Sequence, residues 1–207
     1  MGAELDARTG IFVISGTQGA GKTTVARLLA ERFERGAHVE ADALQKMIVS
    51  GREWPEASVV TRETPEITGE AGRQLALRLH NTCLLGRSLF ESGFAAVLDD
   101  IIFGHPPTNH VKPSGRLVQL CDELRDVPFF FVMLNPDPAT VRERERSRGT
   151  DLYTEWEWLT ESIAASEPKL GLWLDTSKQT AEDTVDEIMR RAWTEAIIEP
   201  RITEEAR

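Results

Sequence analysis

The sequence is short of cysteine, of long apolar runs and of basic charge, and each shortage narrows what the protein can be. Cysteine occurs only at Cys83 and Cys121, which form no CxxC or zinc-ligand spacing. This favours buried, reduced thiols over a disulfide framework. The N-terminus has no basic segment followed by an apolar one, and no apolar run approaches the ~18 residues of a membrane span. We therefore expect a cytoplasmic protein.

Basic residues are outnumbered by acidic ones: 24 Lys and Arg stand against 34 Asp and Glu, which gives a net charge of -10. Phosphate backbones and anionic membranes require a basic surface. The charge balance therefore argues against binding of membranes or duplex nucleic acid, although it leaves room for a local basic cleft.

Short apolar runs alternate with helical patterns through most of the chain. We predict strands near residues 11–15, 37–42, 94–100, 127–134 and 170–177. Helices are expected after residue 21, near 43–51, from about 64 to 92, near 115–125, from Asp137, near 154–167 and over 181–196. Such alternation predicts an α/β fold, a parallel sheet with helices on both faces. We predict one domain over residues 1–207, with its core at 10–196 and a frayed acidic tail at 199–207.

The segment "GTQGAGKT" (Gly16 to Thr23) lies between the first predicted strand and the first predicted helix. It matches GxxxxGK(S/T), a loop whose N–H groups bind phosphate oxygens at a helix N-terminus. In this chemistry Lys22 lies between the β- and γ-phosphates of a nucleotide, and Thr23 binds Mg²⁺. We predict nucleotide contacts from ten residues: Gly16, Thr17, Gly19, Ala20, Gly21, Lys22, Thr23, Thr24, Arg148 and Thr176.

Carboxylates end two of the predicted strands. Asp99 and Asp100 close "VLDD", where an acid is expected to hold Mg²⁺; the sequence does not separate the two. Asp42 ends "VEAD", where a carboxylate can accept a proton from a substrate hydroxyl that attacks the γ-phosphate. Asp42 can also serve as the N-cap of the next helix, and the two roles are compatible; we favour the base. Glu40 is a weaker candidate on the same side of the strand.

The run "VRERERSRG" carries four arginines and no lysine. A solvated helix with local ion pairs is one explanation. We favour a helical lid over about residues 138–155, with Arg142 and Arg146 stabilising the transferring group. The loop "LDTSKQT", which contains Thr176, can approach an adenine base.

These motifs, in this order, resemble the P-loop small-molecule kinases, especially the chloramphenicol phosphotransferase-like and zeta-toxin-like groups. The similarity rests on "ISGTQGAGKTTVARLL", "EAD", "VLDDIIFG", "RERERSRGT" and "LDTS", from Ile11 to Ile188. It implies a three-layer P-loop NTPase fold with a five-stranded parallel sheet and a lid, ATP and Mg²⁺ as cofactors, and Asp42 as general base. Gly19 replaces a serine of the antibiotic kinase, and residues 43–63 look different, so chloramphenicol itself is not implied.

The leading hypothesis is therefore a kinase acting on a hydroxyl of a small organic molecule. An alternative is a nucleoside, nucleotide or polynucleotide 5′-hydroxyl kinase, in which Arg52, Arg62 and Arg73 would bind acceptor phosphates. A third is a regulatory ATPase, although the sequence has no NKxD motif and no second domain.

Overall fold

A computed structural model describes residues 6–54, 67–105, 114–149, 163 and 169–199. Its main sheet has five parallel strands in the order β2-β3-β1-β6-β7. The described strands are β1 (Ile11–Gly16), β2 (Gly36–Glu40), β3 (Ala95–Asp99), β4 (Gly104–His105), β5 (Ser114–Gly115), β6 (Phe129–Leu134), β7 (Leu172–Leu174) and β8 (Ile197–Ile198).

The central strand β1 is buried along its whole length because it has a parallel neighbour on each side. Ile11 pairs with Ala96 of β3 on one side and with Phe129 of β6 on the other. All five parallel strands therefore end at the same edge of the sheet, and the loops that follow them meet there.

The described helices are α1 (Lys22–Ala30), α2 (Ala41–Lys46), α3 (Gly69–Glu91), α4 (Arg116–Glu123), α5 (Pro138–Arg148) and α6 (Ala181–Glu195). Side chains alternate between the two faces of β1. Phe12 and Ile14 pack in the cluster with α1 and α6, whereas Ile11 and Val13 pack in the cluster with α3 and α4. The predicted α/β sandwich is confirmed: a parallel sheet lies between two helical layers.

Most predicted elements are found, with shifted ends. Asp137 caps α5 as expected: its side chain accepts a hydrogen bond from Thr140 N, and Pro138 lies in the first turn. The predicted N-cap role of Asp42 is wrong, because β2 ends at Glu40 and Asp42 lies in the first turn of α2. Apart from the buried Ile163, the predicted helix near 154–167 falls outside the described residues, as does the tail beyond Glu199.

Two features were not predicted. The short antiparallel pair β4–β5 lies within a segment expected to be only a loop. Strand β8 follows α6 directly and pairs antiparallel with the start of β6, Phe129 with Ile198 and Phe130 with Ile197. Two residues are too few for a periodic signal, so the sequence pattern could not show β8. No helix within the described ranges is long and apolar enough to cross a membrane.

Two leucines of α3 test the assignment of the core. Leu79 is fully buried, whereas Leu77 on the same helix is 49% exposed. We expect Leu79→Ala to lower the free energy of unfolding by about 2–5 kcal/mol, because it leaves a cavity in the α3–α4 layer. Leu77→Ala should change it by less than about 0.5 kcal/mol. Urea denaturation of both variants checks this, and equal losses would contradict the packing of α3.

Candidate active site

The Gly-rich loop lies at the carboxyl end of β1 and leads directly into α1. Gly21 is the N-cap of α1, with φ of 95°, and no side chain caps the helix. The first N–H groups of α1 therefore have no side-chain partner at the cap. A helix N-terminus of this kind is a ready site for an anion such as a phosphate group.

Helix α5 packs against this loop at Gly19. The residue has φ of +72°, and a Cβ added to it would lie 2.8 Å from Val141 Cγ1 and 3.1 Å from Glu145 Cγ. Arg144 links α5 to the Gly-rich loop and to the loop after β7. Its Nη1 donates to Ala20 O at 3.2 Å, and its Nη2 donates to Thr176 O at 2.8 Å. Burial and the neighbouring Arg148 lower the pKa of the Arg144 guanidinium, against the opposing charge of Asp137.

Lys22 and Thr23 face the acids at the end of β3. Thr23 Oγ1 donates to Asp99 Oδ2 at 2.6 Å, while Asp99 Oδ1 lies 3.1 Å from His38 Nε2. Lys22 Nζ donates to Thr17 O at 2.9 Å. Burial lowers the pKa of Lys22, and the negative charges of Asp99, Asp100 and Asp42 oppose that shift. The ammonium group therefore lies within electrostatic reach of all three carboxylates.

Asp100 is bound to two arginines and is almost fully buried. Its Oδ1 accepts from Arg78 Nη2 at 2.6 Å and from Ile101 N at 2.7 Å, and its Oδ2 accepts from Arg116 Nη2. Burial raises the pKa of the Asp100 carboxyl, but the two guanidinium groups more than offset this, so the pKa is lowered overall. Because both oxygens are engaged by arginine, this geometry does not support Asp100 as a metal ligand.

Arg78 joins Asp100 to the predicted base. Its Nη1 donates to Asp42 Oδ1 at 2.9 Å, although Asp42 is 56% exposed and Arg78 is buried. Asp42 Oδ2 has no hydrogen-bond partner in the described part of the chain. The structure thus brings Asp42, Lys22, Thr23 and Asp99 to one edge of the sheet.

Two clefts of similar size open beside these residues. One, of about 300 Å³, lies between the Gly-rich loop, α5 and the loop after β7. Thr176 is buried there, and its Oγ1 has no hydrogen-bond partner within the described ranges. Its lining includes the predicted residues Ala20, Gly21, Thr24, Arg148 and Thr176, together with Arg144 and Gln179, which were not predicted.

The second cleft, of about 270 Å³, lies between the N-terminal half of α3 and the segment that joins β3 to α4. Its lining is mainly apolar or small, with Arg116 and Gln119 as the polar side chains: Ile67, Gly72, Leu75, Ala76, Phe103, Gly115, Arg116 and Gln119. Arg116 is the same arginine that binds Asp100, so this cleft borders the carboxylate cluster.

The four arginines of α5 have different surroundings. Arg144 contacts the Gly-rich loop and Arg148 lines the first cleft, whereas Arg146 is exposed and pairs with Glu143 at 2.6 Å. Arg142 is also exposed. Residues 138–148 therefore form a helix packed on the Gly-rich loop, and residues 150–155 of the predicted lid lie outside the described residues.

Sequence reasoning missed Arg78, Arg116 and the contact of His38 with Asp99. Arg78 follows Leu77 in a long amphipathic helix, where a charged residue usually faces solvent, and nothing local indicates that it is buried. The one available signal for His38 is register, since His38 pairs with Val97 two residues before Asp99.

The described part of the chain has no cluster of three or more His, Cys, Asp or Glu side chains that could hold a metal ion alone. Thr23 and Asp99 offer a hydroxyl and a carboxylate, which are hard oxygen ligands of the kind Mg²⁺ prefers. A metal here would have to take its remaining ligands from phosphate oxygens and water.

No protein-family model matches the sequence, and no curated protein matches it. Solved structures do resemble it at low identity. An unliganded sugar kinase from Janibacter sp. HTCC2649 is 18% identical with a TM-score of 0.61, and covers 88% of this chain and 94% of its own. The APS kinase of Mycobacterium tuberculosis, in complex with AMPPNP and APS, is 17% identical with a TM-score of 0.57, over 88% and 96%.

A tunicamycin resistance protein from Deinococcus radiodurans is similar over 93% of this chain and its entire own length, with 17% identity and a TM-score of 0.53. At these identities the likeness establishes architecture. The fold is that of the P-loop small-molecule kinases.

Gly19 provides a test of the packing between the loop and α5. Gly19→Ala places a left-handed alanine against Val141, whereas Gly51→Ala has the same backbone requirement (φ +73°) with no atom of the described residues within 4 Å. We expect Gly51→Ala to cost about 1–2 kcal/mol of unfolding free energy. Gly19→Ala should cost about 1–3 kcal/mol more, because it also overpacks the interface. Chemical denaturation measures both, and equal costs would show that α5 does not constrain the loop.

Proposed function

We propose that this chain, which has the fold of P-loop small-molecule kinases, transfers the γ-phosphoryl group of ATP to a hydroxyl of a small organic molecule. The observation that carries the proposal is the meeting of three groups where β1, β2 and β3 end. Thr23 Oγ1, next to Lys22, donates to Asp99 Oδ2 at 2.6 Å, and the negative charges of Asp99 and Asp42 act on the buried Lys22. A phosphate-binding cation, a metal-binding carboxylate and a candidate base thus share one site.

The first cleft suits the nucleotide. It begins at Ala20 and Gly21 of the phosphate loop and extends to Thr176 and Gln179. The buried Thr176 hydroxyl without a partner is the kind of group that a bound base would satisfy. Arg148 lines the same cleft, which supports its predicted contact with the nucleotide. Arg144 also lines the cleft, and we add it to the residues predicted to contact the nucleotide. The similarity to an APS kinase complexed with AMPPNP agrees with this use of the cleft.

Thr23 and Asp99 are the residues that would hold Mg²⁺. Their mutual hydrogen bond of 2.6 Å places a hydroxyl and a carboxylate side by side. Bound there with the nucleotide, Mg²⁺ would offset the negative charge of the phosphates. His38 Nε2 donates to the opposite oxygen of Asp99, which fixes the orientation of the carboxylate.

Asp42 is the general base in this mechanism. Arg78 holds Oδ1, and Oδ2 remains available to accept the proton of the acceptor hydroxyl. The acceptor oxygen then bonds to the γ-phosphorus, the bond between that phosphorus and the β–γ bridging oxygen breaks, and ADP leaves. Lys22 and the N–H groups at the start of α1 stabilise the charge on the phosphoryl oxygens.

The role of the outer arginines stays a prediction. Arg142 and Arg146 are exposed on α5, where Arg146 pairs with Glu143. A stabilising role would require them to turn towards the transferring group. Arg144 already contacts the loop, so it supplies positive charge without such movement.

The nucleotide or polynucleotide 5′-hydroxyl kinase has weaker support. Arg73 is bound to Glu70 at 2.7 Å, and Arg52 donates to Lys46 O at 3.2 Å. Both are exposed surface contacts, and Arg62 lies outside the described residues. We therefore favour a small alcohol as the acceptor. Incubation with γ-labelled ATP, Mg²⁺ and a metabolite and antibiotic panel, followed by mass spectrometry, tests this.

Substituting Asp42 tests the assignment of the base. We expect Asp42→Asn to lower kcat by about 100-fold or more, because the amide cannot accept the proton. ATP affinity should change by less than about threefold, since Asp42 does not line the nucleotide cleft. Single-turnover phosphotransfer and nucleotide titration measure the two effects.

Glu40→Gln is the matched control for Asp42→Asn. Glu40 ends β2 opposite Asp99 in the register, two residues from Asp42. Transfer should persist in this variant. Loss of transfer in Glu40→Gln together with its survival in Asp42→Asn would reverse the assignment.

A magnesium titration distinguishes the roles of Asp99 and Asp100. Asp99→Asn should weaken the apparent Mg²⁺ affinity by about 10-fold or more, because it removes the carboxylate beside Thr23. Asp100→Asn should leave the Mg²⁺ dependence of the nucleotide-bound enzyme nearly unchanged. An equal effect of both substitutions on the half-saturating Mg²⁺ concentration would argue against Asp99 as the metal-side acid.

A further inference from the structure

We infer that Asp100 makes the acceptor side of the site selective for uncharged, partly apolar alcohols. It does so by occupying the two arginines that would otherwise bind an anionic group of the acceptor. This inference rests on the proposed function, since it concerns the second substrate of the same reaction. It assigns a specificity role to a carboxylate that the sequence offered only as a metal ligand.

The first step is that Asp100 occupies both arginines, Arg78 and Arg116, with its two oxygens. Asp100, with its side chain 2% exposed, binds Arg78 through one oxygen and Arg116 through the other. Arg78 uses its second terminal nitrogen on Asp42, and Arg116 uses Nη1 on Ile101 O. Two guanidinium groups are thus matched by two carboxylates, and the four-residue network carries no net formal charge.

The second step is the energetic cost of replacing Asp100 by an anionic acceptor as the partner of an arginine. An anionic acceptor that bound either arginine would have to displace Asp100 or accept its repulsion. Removing one partner from a buried ion pair leaves an uncompensated charge, which is strongly unfavourable. A carboxylate or phosphate on the acceptor is therefore rejected by a charge already inside the protein.

The third step is what the network still offers to a ligand. Arg78 Nε and Arg116 Nε have no hydrogen-bond partner among the residues that the structure describes, but both atoms are buried and out of a ligand's reach. The terminal nitrogens of both arginines already donate to Asp42, Asp100 and Ile101 O. A neutral acceptor brings no charge that would draw these donors away, so it can bind beside the network without disturbing it.

The fourth step is the shape of the adjoining cleft. Arg116 forms one wall of the cleft of about 270 Å³, and the remaining wall includes Leu75, Ala76 and Phe103. Gln119 is the other polar side chain; its Nε2 donates to Ala76 O at 2.8 Å, which leaves its Oε1 to accept from a hydroxyl. The cleft fits an apolar body with a few neutral polar groups.

Lys46 does not alter this assignment. It lies on α2 four residues after Asp42, but it is exposed to water. A hydrated lysine gives little discrimination compared with a buried guanidinium pair.

The test compares benzoate with benzyl alcohol, in protein saturated with Mg²⁺ and ADP so that the phosphate loop is filled. We expect Asp100→Asn to bind benzoate at least about tenfold more tightly than the natural chain, because two arginines then share one carboxylate. Affinity for benzyl alcohol should change by less than about threefold. Calorimetry or ligand-observed NMR measures both. Unchanged affinity of the variant for benzoate overturns the proposal.

Asp126→Asn is the matched control, because Asp126 also pairs with an arginine, Arg87, but at the surface beyond α4. It should leave both affinities unchanged. If Asp100→Asn does not fold, the natural chain still decides: its products from ATP and an acceptor panel should be phosphates of neutral alcohols. Efficient phosphorylation of carboxylate- or phosphate-bearing acceptors overturns the inference while the kinase assignment stands. If no acceptor in the panel gains a phosphoryl group, the proposed function fails, and the inference fails with it.

Discussion

The pairing of β1 with β3 on one side and β6 on the other is the constraint on which the site depends. It aligns Ile14 with Asp99 and Gly16 with Leu134, so the phosphate loop leaves the sheet between an acidic strand end and the strand that leads to α5. The loop is then held by groups from both neighbours: Asp99 contacts Thr23, and α5 packs on Gly19. Neither contact depends on a residue close in sequence to the loop, so the geometry of the loop is a property of the sheet.

Two adjacent aspartates at the end of β3 have different environments because successive residues of a strand point to opposite sides. Asp99 faces Thr23 and His38, whereas Asp100 faces Arg78 and Arg116. One acid is thus oriented towards the Gly-rich loop and α1, and the other towards α3 and α4. In our proposal the same short segment serves both substrates, the metal through Asp99 and acceptor selection through Asp100.

The sequence was sufficient for the features that have a local signal. The run "IFVIS" predicted β1, the glycine spacing predicted the tight turn between β1 and α1, and Asp137 with Pro138 predicted the start of α5. Contacts between residues far apart in the chain could not be predicted from the sequence. Arg78 lies 36 positions from Asp42 and 22 from Asp100, and its burial depends on how α3 packs over β2 and β3. The sequence could not separate Asp99 from Asp100 for the same reason, because their partners come from α1, β2, α3 and α4.

Strand β8 has a consequence for the behaviour of the chain in concentrated solution. Strand β7 covers only Val132 to Leu134 of β6, and without β8 the unpaired N–H and C=O groups of Phe129 and Phe130 would form an open sheet edge. Such an edge is a template for pairing with a second molecule and for aggregation. Ile197 and Ile198 occupy it in the antiparallel direction, and Phe131 N donates to Ala196 O at 2.9 Å. The residues of β8 therefore protect the start of β6 from pairing with a second molecule. A chain that ended before Ile197 would leave this apolar edge open and would associate more readily.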